Sequence, residues 1–314
     1  MKKSLYLSLL FLFIISSAAN AELTDRELLA QTLTFSKKVK EYGQTIGIDP
    51  SGVLSKTTDE IPPKSKIIIY LQKRGTLAIN KNIDESLSIN ISKPASEVPI
   101  GDSYLYTEYF SAFLRQVNES ATEDMPITID FARASALRQA EVVLHEDLHM
   151  NTMHTWESDN VESIVTPLAY LATLNFFKTN NDEANEKSAA IMINYFRKIS
   201  LELNDFANSA ENIYKSGIHY WVAQENIIQL LDSKTNYSVR FRQSLGGQNI
   251  YDVLEALVSM DLIYLRYFDK IVSLYEKINN IAIFITDMKK APGKTEDLDR
   301  YLEMLLQKYS NPAL

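Results

Sequence analysis

His145, Glu146 and His149 stand in the order H-E-x-x-H. On an α-helix, residues four apart share one face, so the two imidazoles can meet a single metal ion. Glu146 projects beside them, where a metal-bound water would lie, and suits a general base. Two nitrogen ligands and a base are the parts of a zinc-assisted hydrolysis. A three-residue motif also arises by chance, and paired histidines can be ordinary hydrogen-bonded side chains. Here three of the chain's four histidines fall between residues 145 and 154, which weighs against chance.

A catalytic zinc takes three protein ligands and leaves one position open. Glu162 ranks first as the third ligand. Twelve residues separate it from His149, a polar loop lies between, and VESIVTPLAYLATLNFF follows as an apolar helix. A carboxylate on the first turn of such a helix faces apolar neighbours, a costly position unless it is paired or bound to a metal. Its ordinary alternative is a first-turn acid favoured by the helix dipole. Glu157 in the loop is second. His154 is third, since five residues of helix carry it to a flank about 140° from His149. Glu186, opening a charged helix, is fourth. Glu141, one turn before His145, and Thr166, one turn after Glu162, could orient ligands, with solvated surface the default for Glu141.

The elements that must position these residues are mostly helical. Residues 131–150 contain no Pro or Gly and carry Leu137, Ala140, Val143, Leu144 and Leu148 at helical spacing, with Asp130 as the expected N-cap. Leu23 to Tyr42 reads as an amphipathic helix with a Thr24/Glu27 capping box. Further helices are expected over 104–118, 160–178, 182–215 and 218–231. A run over 249–289 could form two helices or one bent one, and 295–309 closes the chain. Ser65 to Gln72, Gly75 to Asn80 and Ser86 to Ser92 are β-branched, partly alternating runs that suggest a small antiparallel sheet. The Tyr/Phe/Leu stripes after Ile263 read as core. The expected class is α+β, predominantly α-helical. Residues 22–125 (first helix and sheet) and 126–314 (helical, with the metal site) are expected to form one compact unit.

His145, Glu146, His149 and a downstream helical Glu resemble the gluzincin branch of the zinc metallopeptidases. The resemblance covers about residues 130–178. It implies a zincin-like fold with a small sheet ahead of the motif helix, Zn2+ held by His145, His149 and Glu162, and Glu146 as the base acting on a peptide bond. Two departures are plain: the downstream Glu lies closer than in many gluzincins, and Val161-Glu162 stands where Asn-Glu is frequent. The metzincin pattern fits worse, because Thr152 and Thr155 occupy its Gly and third His positions. For the oxyanion donor, His219 and Tyr220 in SGIHYW are the candidates, against the plainer reading that a His beside Trp221 is packing.

MKKSLYLSLLFLFIISSAANA reads as a secretory signal peptide with a basic start, an apolar stretch and an A-x-A site ending at Ala21. The expectation is a periplasmic or secreted protein starting near Glu22, with peptides or envelope proteins as substrates and no later membrane span. The chain has no cysteine, so a hydrophobic core rather than disulfides must hold it. A net charge of −8 argues against nucleic acid as partner. Two other readings stay open: a non-catalytic exported helical binding or scaffold protein with a structural metal site or none, and a non-haem Fe(II) site.

Overall fold

The computed structural model describes residues 23–57, 66–78, 86–89, 109–117, 125–152, 161–292 and 295–310. The expected signal peptide, His154 and Glu157 lie outside the described residues. The fold is α+β and predominantly helical, with one small antiparallel sheet ahead of the motif helix in the chain.

Helix α1 (Asp25–Thr45) starts at the expected capping box: the Glu27 amide donates to Thr24 Oγ1 at 3.3 Å and the Thr24 amide to Glu27 Oε2 at 2.9 Å. Strands β1 (Lys66–Lys73), β2 (Ser86–Ile89) and β3 (Phe110–Val117) form the sheet in the order β2-β1-β3. Tyr70 pairs with Phe113 and Gln72 with Ser111 across β1 and β3. The sequence reading placed a helix over 104–118, but its described part is β3. The residues from Gly75 to Ala78, read as strand, form a turn instead.

The motif helix is also shorter than expected. Thr128, not Asp130, caps a separate turn α2 (Ile129–Ala132), its hydroxyl accepting from the Phe131 amide at 3.2 Å. After a break at 133–135, helix α3 (Ala136–Thr152) carries the motif. Ala140, Val143, Leu144 and Leu148 are buried and Leu137 packs against them, as their spacing predicts. Helix α4 (Val161–Thr179) lies against α3 and brings in Glu162. Pro167 inside α4 has no N–H to give the Ser163 carbonyl, so the first turn is released from the regular ladder.

Beyond them come α5 (Glu183–Lys215), α6 (Tyr220–Asp232) and α7 (Thr235–Ser244), the last not foreseen. The 249–289 run breaks into three helices: α8 (Ile250–Leu265), α9 (Phe268–Ile278) and α10 (Ile281–Met288). Helix α11 (Thr295–Ser310) follows. Buried α8 is the hub: the sheet packs on one side of it and α4 and α5 on others. One hydrophobic cluster runs from Val39 on α1 through Phe113 on β3 to Leu305 on α11. Among the described residues, no helix is long and apolar enough to cross a membrane.

One polar cluster holds α3 to α1. Asp147 is 1 % exposed; its Oδ1 lies 2.5 Å from Lys40 Nζ and accepts from the Ser51 amide and hydroxyl at 2.9 and 2.6 Å. Asn151, one turn on, donates to the Asp49 carbonyl at 2.7 Å and accepts from its amide at 2.9 Å. Asp147→Ala removes one partner of a buried ion pair and strands the Lys40 ammonium. The expected loss is about 3–5 kcal/mol, read as a lowered urea midpoint; a change below about 1 kcal/mol would show that the pair is not structural.

Candidate metal centre

His145 and His149 lie one turn apart on α3, and Asp147 between them is about 200° of rotation from each. Burying Asp147 under α1 therefore turns both imidazoles toward α4. Their Nε2 atoms are 3.0 Å apart. Glu162 reaches them from the first turn of α4, with Oε2 3.3 Å from His145 Nε2 and Oε1 3.3 Å from His149 Nε2. Among the described residues, these three form a group able to hold a metal ion, one ligand atom from each converging within 4.8 Å. The next residue, Ser163, fixes the turn by donating its hydroxyl to the Ile263 carbonyl on α8 at 2.5 Å.

The surroundings are rich in carboxylates. Glu141 is buried rather than solvated: Arg138 binds its Oε2, and its Oε1 lies 3.9 Å from His145 Nδ1. Thr166 is buried with its hydroxyl unpartnered, as are His145 Nδ1 and Glu162 Oε2. Burial raises the Glu146 carboxyl above the usual carboxylate range, and Glu162 and Glu141 add to this against the opposing pull of the two histidines. Burial opposes charge on His145, yet Glu162, Glu141 and Glu146 outweigh it and lift the imidazolium to about 9. Burial likewise opposes the Glu162 carboxylate, and the hydrogen bonds and charges of His145 and His149 overcome that and hold its pKa well below normal. A buried carboxylate facing two converging imidazole nitrogens, one ligand atom from each within 4.8 Å, fits a bound cation.

Other candidates stand elsewhere. Glu186 sits in the first turn of α5 and is not in the converging group. His219 is exposed at the N-cap of α6. The Tyr220 hydroxyl donates to Glu255 Oε1 at 2.8 Å and accepts from Arg74 at 2.9 Å and Gln224 at 2.9 Å. Glu255 belongs to the first half of α8, whereas Ser163 ties Glu162 to its last turn, roughly 12 Å away at 1.5 Å per residue. Neither His219 nor Tyr220 is thus placed to serve the site, the first because it faces solvent and the second because its hydroxyl is committed.

Tyr264, expected as part of a core stripe, packs partly buried against the core, and its neighbour Ile263 accepts from Ser163, next to Glu162. Burial raises its phenol far above the normal value, and the nearby Glu162 carboxylate and the hydrogen-bonded Tyr70 raise it further. The Arg115 guanidinium carbon lies 5.8 Å from the Tyr264 ring centre. Only the fold brings β1, β3 and α8 together here; no local spacing in the chain announces it.

Compared with protein-family models, curated proteins and solved structures, the chain finds no match in any of the three.

The charges at the centre have a pH signature. In metal-free protein, His145 lies above its ordinary 6.5, so its stabilising charge is fully present below about pH 6.5 and lost as the pH rises through about 9. Glu162 has the opposite sign: its contribution is present above its ordinary 4.5 and lost as the pH falls toward its depressed value. The urea midpoint of metal-free protein should fall between pH 6.5 and 9, and His145→Gln should flatten that fall. A metal ion must displace the same proton, so apparent zinc affinity should rise about tenfold per pH unit over this range. A competition titration with a chelating dye reads this slope, and a pH-independent affinity would contradict the assignment.

Proposed function

We propose that the chain is an exported zinc-dependent peptidase with a zincin-like site. The observation that carries this reading is the convergence of His145, His149 and Glu162: the two Nε2 atoms are 3.0 Å apart, each lies 3.3 Å from a different Glu162 oxygen, and one ligand atom from each residue falls within 4.8 Å of the others. Tetrahedral zinc with bonds of about 2.0–2.2 Å needs ligand atoms roughly 3.3–3.6 Å apart. Two imidazoles and one carboxylate also match the ligand count of an open, catalytic site rather than a closed structural one.

Bound there, zinc would supply a water acidified toward neutrality and a Lewis acid for the substrate carbonyl. Glu146 follows His145 on α3, and its raised carboxyl is matched to taking the attacking water's proton and passing it to the leaving amine. Glu141, paired with Arg138, supports His145 from its Nδ1 side. Tyr264, next to the Ile263 carbonyl that Ser163 holds, keeps its phenolic proton because burial raises it, and is the candidate to turn from Tyr70 to the developing oxyanion. The leader at residues 1–21 would deliver the enzyme to the periplasm or outside the cell, where peptides or envelope proteins are the substrates.

Metal analysis by mass spectrometry on protein starting at Glu22 should find one zinc per chain, with none in His149→Ala. Iron in its place would move the chemistry to a non-haem iron centre, and no metal after zinc is offered would favour a non-catalytic binding protein. Glu146→Gln should keep the metal and lose peptide hydrolysis by at least about 10²-fold; retained hydrolysis would reject the mechanism. Tyr264→Phe should lower kcat by about 10²–10³-fold with KM little changed, measured on the best substrate of a peptide screen. An unchanged kcat would remove Tyr264 from the reaction.

A further inference from the structure

Arg115 is out of keeping with the other half-buried arginines. Arg74, Arg197 and Arg240 each lie against a carboxylate, of Asp252, Asp269 and Asp261 respectively. Among the described residues Arg115 has no carboxylate and no hydrogen-bond acceptor; its one close partner is the face of Tyr264. A half-buried guanidinium held over an aromatic ring, with its fork unused, is a poor structural device. Its five donors gain little in return.

The position of Arg115 gives it a use. Ser111, Phe113 and Arg115 alternate onto one face of β3. Ser111 identifies that face as the one covered by α8, because its hydroxyl donates to the Asp252 carbonyl at 3.0 Å and accepts from the Ala256 amide at 3.1 Å. Two and four residues farther along that face come Phe113 and Arg115. Phe113 is buried in the core, and Arg115 arrives at Tyr264. Tyr264 follows Ile263, whose carbonyl accepts the Ser163 hydroxyl at 2.5 Å, and Ser163 adjoins Glu162, whose charge is felt at the Tyr264 phenol. The guanidinium therefore stands one aromatic ring away from the site. On the other side of the centre, the matching cation, Arg138, is neutralised by Glu141.

We propose that Arg115 binds a carboxylate of the substrate, one or two residues beyond the scissile bond. The planar guanidinium matches a carboxylate bidentately. An extended peptide advances about 3.4 Å per residue, so one or two residues span the breadth of the intervening tyrosine. The carboxylate is either a free chain terminus, which would make the enzyme a carboxypeptidase or dipeptidase, or an Asp or Glu side chain. This inference rests on the peptidase reading of the metal centre.

The test is calorimetric binding to zinc-loaded Glu146→Gln protein of three N-acetylated tetrapeptides: a neutral one ending in a free acid, the same peptide as its amide, and an amide carrying one Glu. One of the acidic peptides should bind at least tenfold tighter than the neutral amide, and which one does so identifies the source of the carboxylate. Adding Arg115→Gln should abolish the preference and Arg115→Lys should retain part of it, with urea midpoints verifying that both variants fold. Equal binding of the three peptides, binding of none, or a preference that survives Arg115→Gln overturns the proposal. Hydrolysis of the same peptides by the unsubstituted chain separates the two readings. Cleavage without acidic preference rejects the role of Arg115 alone, while Arg115-dependent binding without cleavage rejects the peptidase reading alone.

Discussion

The buried contact of Lys40 with Asp147 is the constraint on which the centre depends. A helix packed through aliphatic side chains alone can rotate a few degrees at little cost, because Leu and Val surfaces are smooth. A buried carboxylate cannot follow such a rotation, since it would lose an ammonium, an amide and a hydroxyl together. Asp147 and Leu148 fill the two free positions of the H-E-x-x-H motif, and both are buried in the inner face of α3. The residues that do no chemistry thereby decide the direction of those that could. Asn151 extends the same grip to Asp49 one turn later.

Helix α8 completes the arrangement from the opposite side. Two serines dock onto its backbone at either end: Ser111 from the sheet near Asp252 and Ala256, and Ser163 from α4 at Ile263. A serine suits both places, because its short side chain lets a neighbouring element approach closely while satisfying a polar backbone group. The sheet and the third ligand are thus registered against one common rod. Tyr264 sits where the two meet, in the last turn of α8. Strands β1 and β3 and helix α4, distant in the chain, are brought together by a helix that itself supplies none of the converging residues.

The converging group of His145, His149 and Glu162 could be read from the chain because its signal is local. His145 and His149 are bound to share a face once α3 forms, and Glu162 opens the next apolar helix. Helices with clean periodicity, such as α1 with its capping box, were equally readable. Strand β3 was not, for a definite reason. Its covered face carries Ser111, Phe113 and Arg115, so the buried side is not apolar and alternation fails as a signal. Ser111 belongs there because α8 offers it a carbonyl and an amide, partners absent from the local sequence. Glu141 misled in the same way: a helical Glu reads as surface until Arg138, one turn back, is seen to pair with it. Tyr220 was unreadable for the same reason, since nothing near it in the chain tells that its hydroxyl is committed to Glu255.

The electrostatics of the centre also follow from its membership. Glu141, Glu146 and Glu162 surround two imidazoles, and within this group Arg138 offsets only Glu141. Left to itself, such a cluster must recruit positive charge. In metal-free protein it does so by holding a proton on His145 to about pH 9. That proton bridges His145 and Glu162 but leaves His145 Nδ1 without a hydrogen bond among the described residues. A divalent cation would use both Nε2 lone pairs and a Glu162 oxygen at once, and would free the His145 N–H to point its Nδ1 proton toward Glu141. One Glu is then a ligand, one orients a ligand, and Glu146 is left unpaired with its carboxyl raised by burial. Burial and neighbours alone would thus separate three identical side chains into three tasks, with Glu146, which has no partner among the described residues, left to carry the proton.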